Sequence, residues 1–240
     1  MRKVGIIGGL GPETTAHFYL NIVSQCQRIE RTHRPDILIR SVPIPYDVEE
    51  NALLHAKNVE DCLGFLVESA VQLEHAGADF VVMPCNTLHK FAGDIQAAIS
   101  VPFVSVVNVA ADFVEKHGLR SVGLIATGIT LKSQFYQKVL EQRGVDYHMP
   151  SEFHQAKLAK MIYGLVTGQY GNFQRQELID VIEDFDAKNL EMVLLACTDL
   201  QALIPHHPRI KIIDTMQLLA DEVARLICAP MDALPTKGAA

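Results

Sequence analysis

The sequence predicts an α/β fold with two similar doubly wound lobes, each built on a parallel sheet and related by internal pseudo-symmetry. Short apolar runs alternate with longer amphipathic segments along the chain, which is the pattern of strand–helix units. Most of the short runs are almost continuously apolar, as in parallel strands that are covered on both faces. Landmarks of the first half also recur in the same order in the second half, which indicates an internal repeat.

Eight runs are predicted strands: 3–8, 36–42, 79–84, 102–107, 121–126, 145–149, 191–196 and 210–214. The predicted helices occupy the segments 13–28, 59–76, 87–99, 109–117, 131–143, 154–167, 173–188 and 217–227. Gly77, Gly118 and Gly144 stand where three of these helices would end. Glycine readily adopts the left-handed conformation that closes a helix, so these positions support the assigned boundaries.

The repeat divides the chain into two predicted lobes. The run RKVGIIG, beginning at Arg2, is echoed by RSVGLIA at Arg120, and ADFVVMPCNTL is echoed by LEMVLLACTDL. We expect residues 1–105 plus 214–240 to form the N-terminal lobe and residues 106–213 the C-terminal lobe. Ligands of parallel α/β units collect at the carboxyl ends of the strands, so the active site is expected in the cleft between the lobes.

Composition excludes several classes of function. The 240 residues are 49% hydrophobic and 20% charged, which is typical of a globular protein. The net charge of −7 and the lack of a basic run argue against a nucleic-acid partner, and the apolar runs are too short to span a membrane. Five cysteines without a C-x-x-C pair argue against a disulfide scaffold or a thiolate zinc site and favour a cytoplasmic location.

Two cysteines occupy matching positions in the repeat. Cys85 and Cys197 each follow an apolar strand, and each is followed by two polar residues that would begin a helix: Asn86 and Thr87, and Thr198 and Asp199. The N-terminus of a helix favours a thiolate, and its free N–H groups can bind a substrate carboxylate. Two opposed thiols can remove a proton from one face of a carbon and deliver a proton to the other, which inverts a stereocentre.

The same residues admit simpler interpretations. A cysteine that ends an apolar strand is often only a small core residue, and it is the matched pair with polar neighbours that favours function. Cys26, Cys62 and Cys228 lie within helix patterns and are interpreted as structural. The run GGLGPET resembles a dinucleotide fingerprint, but Thr14 takes the place of its third glycine, so nicotinamide binding is not expected.

The motifs GGLGPETT, MPCNTLH and ACTDL, together with IYGLVTG and IKIIDTMQLLADEVA, resemble the aspartate/glutamate racemase family of cofactor-independent amino-acid racemases. The resemblance extends over essentially the whole chain. It implies that Cys85 and Cys197 are the catalytic acid/base pair, that no cofactor is needed and that the protein is a homodimer. It also implies a set of substrate-binding residues, which are Leu10, Asn86, Thr87, Thr127 and Thr198. His89 and Asp199 are implied as supporting residues, although His89 can equally be a buried structural histidine.

The sequence departs from the family pattern at two substrate-binding positions. Asp47 stands where aspartate-specific members have an arginine, and Thr167 stands where they have a lysine. An acidic side chain repels a second carboxylate, so aspartate is in question as the substrate unless Arg40 or Lys157 takes over that contact.

We therefore expect a racemase that acts on a small amino acid. Two alternatives remain open: an isomerase or decarboxylase of a small dicarboxylic acid, and a non-catalytic small-ligand binding protein on the same fold.

Overall fold

The computed structural model describes residues 1–53, 55–166 and 172–230. The chain forms two compact units. The first contains residues 1–109 together with the last helix, and the second contains residues 110–215. No helix within these described ranges is long and apolar enough to cross a membrane.

The first unit contains a four-stranded parallel sheet in the order β2-β1-β3-β4. Its strands are β1 (Lys3–Gly8), β2 (Asp36–Ser41), β3 (Phe80–Val82) and β4 (Phe103–Val104). The helices of this part of the chain are α1 (Pro12–Ile29), α2 (Tyr46–Leu53), α3 (Leu63–His75), α4 (Ala92–Ala98), α5 (Val106–Lys116) and, after the second unit, α10 (Thr215–Cys228). The helix α5 continues into the second unit.

The second unit repeats this topology with a parallel sheet in the order β6-β5-β7-β8. Its strands are β5 (Ser121–Ala126), β6 (Asp146–His148), β7 (Met192–Ala196) and β8 (Lys211–Asp214). Its helices are α6 (Gly128–Ser133), α7 (Phe135–Gln142), α8 (Glu152–Val166) and α9 (Asn172–Asp186). The strand order matches that of the first unit position by position, which confirms the predicted fold of two similar parallel α/β lobes.

The core of the second unit explains why its central strands are so apolar. All five residues of β7 are buried, and Val193 and Leu195 pack in one cluster with side chains of α8 and α9. Gly123 lies in the neighbouring strand β5, where an added Cβ would come within 2.8 Å of Val193 Cγ2 and 3.1 Å of the Phe185 ring. A side chain at position 123 would therefore displace Phe185 from the core.

The last helix is joined to the first strand by a buried arginine. The Arg2 backbone N–H donates to the Ile227 carbonyl at 3.1 Å, and its guanidinium donates to the carbonyls of Leu226, at 2.9 Å, and Pro230. Carbonyls at the C-terminus of a helix have no partner within the helix and attract a positive charge. The repeat-related Arg120 is exposed, so the two lobes use this position differently.

Several predicted elements differ from the structure. The predicted helix 87–99 begins as a 3-10 turn over Thr87–Phe91, and the predicted helix 131–143 is interrupted by Gln134, whose φ is 56°. The strand predicted over 102–107 ends at Val104, because α5 begins at Val106, whose backbone N–H donates to the ring of His89. The helix α2 was not predicted, since Pro43 and Pro45 precede it and indicate a loop.

Candidate active site

The loop after β1 passes close to β2 because it contains glycine. The φ of Gly9 is 84°, and an added Cβ would lie 2.7 Å from Ser41 Oγ and 3.0 Å from the Val42 backbone nitrogen. The Gly9 N–H donates to Thr15 Oγ1 at 2.9 Å, which fixes the loop against the start of α1. The next residue, the predicted substrate-binding Leu10, is buried.

Cys85 follows β3 in the same unit and is 6% exposed. Its backbone N–H donates to the Met83 carbonyl at 2.9 Å, and its polar neighbours Asn86 and Thr87 are also buried. The segment that follows begins as a 3-10 helix over Thr87–Phe91, with Asn86 at its N-cap, and continues directly into α4, so Cys85 lies just before a helix start. The loop thus brings together the thiol of Cys85, the amide of Asn86 and the hydroxyl of Thr87 at the carboxyl end of a buried strand.

His89, in the same loop, is held by backbone groups at both ring nitrogens. Its Nδ1 lies 2.6 Å from the Cys85 carbonyl oxygen, and its Nε2 accepts the Val106 N–H at 3.2 Å. The ring is 3% exposed and lies against Phe103 with ring centroids 5.5 Å apart. Burial lowers the pKa of His89 from 6.5 to about 4, although the Cys85 carbonyl acts in the opposite direction. His89 is therefore neutral at physiological pH.

Cys197 occupies the equivalent position in the second unit. It follows β7, is 3% exposed and has an extended backbone with φ −147° and ψ 121°. Its Sγ donates to the Asp199 carboxylate at 3.8 Å. The following residues, Thr198–Leu203, form a 3-10 helix with Cys197 at its N-cap, so this thiol also stands at a helix start, although the helix is short. A half-buried carboxylate beside a buried thiol is a reasonable acceptor for the thiol proton.

Thr127 lies next to Cys197 at the same edge of the second sheet. Strands β5 and β7 are paired in parallel with Ala126 opposite Ala196, so Thr127 and Cys197 directly follow paired residues. The Thr127 hydroxyl caps α6 by accepting the Thr130 N–H at 3.2 Å. The half-buried Thr198 follows Cys197 in the chain, so both predicted threonines of this unit belong to this edge.

Sequence reasoning missed a further side chain at this edge. Gln155 of α8 donates from Nε2 to the Ala126 carbonyl at 3.1 Å, which brings a helix from outside the motif to the end of β5. The sequence near Gln155 contains no motif that would have indicated this contact.

The described residues predicted to contact the substrate side chain lie outside the two segments, after β3 and β7, that contain the thiols. Asp47 lies in the first turn of α2 and is exposed, whereas the sequence placed it in a loop. Arg40 donates to Gln72 Oε1 at 2.8 Å and to the Ser41 carbonyl at 3.2 Å, and Lys157 lies 4.8 Å from the centroid of the Phe153 ring. Thr167 lies outside the described residues.

One cluster in the described part of the second unit has the composition of a metal site. The ligand atoms of Glu183, Asp186 and His207 lie within 4.8 Å of one another. Arg209 pairs with the Asp186 carboxylate, however, and His207 Nδ1 accepts the Ile210 N–H at 2.9 Å. Because a neutral imidazole that accepts at Nδ1 carries its proton on Nε2, the nitrogen 3.4 Å from Glu183 is a hydrogen-bond donor. Asp186 and His207 are thus already held by Arg209 and the Ile210 amide, so this cluster is not proposed as a metal site.

Comparison of the chain with known proteins identifies its family. The family model described as Asp/Glu/Hydantoin racemase matches residues 7–223. The broad specificity amino-acid racemase RacX of Bacillus subtilis is 28% identical over 222 residues, which cover 90% of this chain and 94% of the relative.

Two solved structures of similar proteins cover 95% of this chain. A crystal structure of an aspartate racemase homologue from Pyrococcus horikoshii is 27% identical with a TM-score of 0.78, and 100% of it is covered. The aspartate racemase of Picrophilus torridus is 25% identical with a TM-score of 0.77, and 94% of it is covered. The shared fold and the family match agree with the motifs around the two cysteines: this chain belongs to the Asp/Glu/hydantoin racemase family.

Proposed function

We propose that this protein is a cofactor-independent amino-acid racemase in which Cys85 and Cys197 transfer protons at the α-carbon of a small amino acid. The observation that carries the proposal is the equivalence of the two thiols. Each follows the third strand of an identically ordered sheet, and each stands just before a short 3-10 helix.

The chemistry needs one base and one acid. One cysteine, as thiolate, takes the α-proton from one face of the substrate, and the other, as thiol, donates a proton to the opposite face. Protonation of the carbanion formed between these steps gives the other enantiomer. The two cysteines exchange roles when the reaction runs in reverse. The Asp199 carboxylate, which accepts a hydrogen bond from Cys197 Sγ at 3.8 Å, supports proton exchange at that thiol.

The polar residues around the thiols supply the remaining contacts in this proposal. Asn86 and Thr87 in the first unit, and Thr127 and Thr198 in the second, bind the substrate carboxylate and amino groups. These four residues neighbour the two cysteines in the chain or in the sheet. Leu10, in the loop held by Gly9, contributes an apolar contact.

We propose further that the substrate side chain is not restricted to a carboxylate. The helix α2 contains Asp47, Glu49 and Glu50 and no basic residue, so it disfavours a second negative charge on the substrate. The name of the Bacillus subtilis relative, a broad specificity racemase, agrees with this view. We also propose a cytoplasmic homodimer, for which light scattering would give about twice the chain mass of 26.6 kDa.

The test of the proposed reaction is isotope exchange. The protein is incubated in deuterated water with single-enantiomer amino acids, and α-deuteration and optical rotation are followed without added pyridoxal phosphate. Racemisation with exchange supports the proposal. A folded protein that exchanges no amino acid in the panel refutes it, and ligand binding without exchange would indicate the non-catalytic alternative.

Cysteine variants test the mechanism. Cys85→Ser and Cys197→Ser should each abolish racemisation, because neither direction proceeds without both an acid and a base. Cys62→Ser is the matched control, since Cys62 is also buried in the first unit and its pKa is raised by burial to about 11, which keeps it a thiol. Full activity in either of the first two variants would contradict the two-thiol mechanism. A dicarboxylate decarboxylase that uses one thiol would lose activity in only one of them.

A further inference from the structure

His89 joins three parts of the first unit through one buried ring. The ring lies four residues after Cys85, in the 3-10 turn that follows β3, and it contacts Phe103 of β4 and the Val106 amide at the start of α5. Both ring nitrogens are engaged by backbone groups, at 2.6 Å and 3.2 Å. A ring with both nitrogens occupied and 3% exposure does not exchange protons with a substrate.

The two hydrogen bonds determine the tautomer of His89. The Val106 backbone N–H is a donor, so Nε2 must accept and carries no proton. A neutral imidazole then carries its single proton on Nδ1, and that N–H donates to the Cys85 carbonyl. The low pKa of His89, about 4, agrees with a ring that stays in this neutral form.

The bond to the Cys85 carbonyl fixes the peptide between Cys85 and Asn86. In a planar trans peptide the C=O and the following N–H point in opposite directions. With the Cys85 carbonyl turned toward the ring, the Asn86 N–H is turned away from it. The ring therefore sets both the direction of the Asn86 N–H and the backbone conformation from which the Cys85 thiol projects.

We infer that His89 is a positioning residue that holds the Cys85–Asn86 peptide in its working orientation, as a neutral Nδ1–H imidazole anchored on the Val106 amide. The inference rests on the proposed function of Cys85, and it assigns to His89 a role in geometry and none in proton transfer. Catalysis by a positioned acid/base group is sensitive to displacements of about 1 Å, which can lower the rate about 100-fold.

Two substitutions separate the two hydrogen bonds. In His89→Asn, the side-chain amide nitrogen can occupy the place of Nδ1 and donate to the Cys85 carbonyl, but nothing accepts the Val106 N–H. In His89→Gln, the amide oxygen can reach the place of Nε2 and accept from Val106, but the donor to Cys85 is lost. Each variant loses one hydrogen bond, so the two should lose similar stability, and His89→Asn is the conservative variant for the proposed role.

The expected result is a difference in activity at similar stability. His89→Asn should keep kcat within about fivefold of wild type, whereas His89→Gln should lower kcat about 10- to 100-fold with a smaller change in KM. The rate at which iodoacetamide alkylates Cys85, followed by peptide mass spectrometry, should change in His89→Gln and stay near wild type in His89→Asn. Alkylation of Cys228, which is partly exposed, serves as the internal reference.

Equal losses of activity in both variants, or a wild-type rate and wild-type Cys85 alkylation in His89→Gln, would overturn the inference. The tautomer is tested without any turnover: nitrogen NMR of the labelled protein should show His89 protonated at Nδ1 and not at Nε2 from pH 8 to pH 5. A proton on Nε2 would refute it. If the wild-type protein racemises nothing, the proposed function fails, while the NMR and alkylation results still decide the role of His89.

Discussion

Replacing Gly9 by alanine tests the close approach of the first loop to β2. The new Cβ would lie 2.7 Å from Ser41 Oγ and 3.0 Å from the Val42 backbone nitrogen, and it would have to be accommodated at φ 84°. A left-handed conformation costs about 1–2 kcal/mol for a residue with a Cβ, and an overpacked contact costs about 1–3 kcal/mol more. The expected loss of stability is therefore about 2–5 kcal/mol.

Thermal unfolding followed by circular dichroism measures this loss. For a chain of this size, 1 kcal/mol corresponds to about 2–4 °C, so Gly9→Ala should lower Tm by roughly 4–20 °C. Gly128→Ala is the control, because a Cβ at Gly128, in the first turn of α6, has no neighbour within 4 Å and the φ there is not in the left-handed region. Its Tm should be unchanged or slightly higher, since alanine stabilises a helix relative to glycine.

A double substitution separates the two parts of the cost. Ser41→Ala removes the Oγ atom 2.7 Å from the new Cβ but leaves the contact with the Val42 nitrogen and the left-handed backbone. The pair Gly9→Ala and Ser41→Ala should therefore recover part of the loss and not all of it. A Gly9→Ala protein with wild-type Tm, or complete recovery in the double variant, would show that the loop relaxes freely and would refute the reasoning.

Three further predictions concern the proposed site. Asp199→Asn should lower kcat/KM about 10- to 100-fold, because its amide oxygen can still accept a hydrogen bond from the Cys197 thiol but cannot take its proton. The loss should be equal for both enantiomers because a racemase has an equilibrium constant of one, and unequal changes in steady-state kcat/KM would contradict a racemase. Asp47→Arg should raise kcat/KM for aspartate relative to alanine by about tenfold, with Asp47→Asn intermediate, and no change in this ratio would place Asp47 away from the substrate side chain. The pKa of His89 falls from 6.5 in the unfolded chain to about 4 in the folded protein, so folding stability is fully present above pH 6.5 and declines as the pH falls toward 4, by about 3 kcal/mol. Urea unfolding at pH 7 and pH 4.5 should show a larger acid loss for wild type than for His89→Asn, and equal losses would refute the burial of a neutral ring.

The sequence by itself determined the parts of this protein that depend on local pattern. Strands buried on both faces need nearly continuous apolar runs, so β1, β5 and β7 were placed within a residue of their observed bounds. The repeated run that ends in a cysteine placed Cys85 after β3 and Cys197 after β7, and the two sheets share the strand order that this repeat implies. The family resemblance rested on these same residues and is confirmed by the match over residues 7–223.

Tertiary structure decided everything that depends on a partner distant in the chain. Arg2 is buried against the end of α10 while its repeat partner Arg120 is exposed, a difference that the matching runs RKVGIIG and RSVGLIA do not contain. The tautomer of His89 follows from the Val106 amide, and Val106 begins the helix that replaces the end of the predicted strand. The periodicity of the sequence indicates which residues are buried. A hydrogen bond between residues 89 and 106, however, forms only when packing brings both groups together out of water. The sequence therefore identified His89 as a candidate, and only the fold indicated its role.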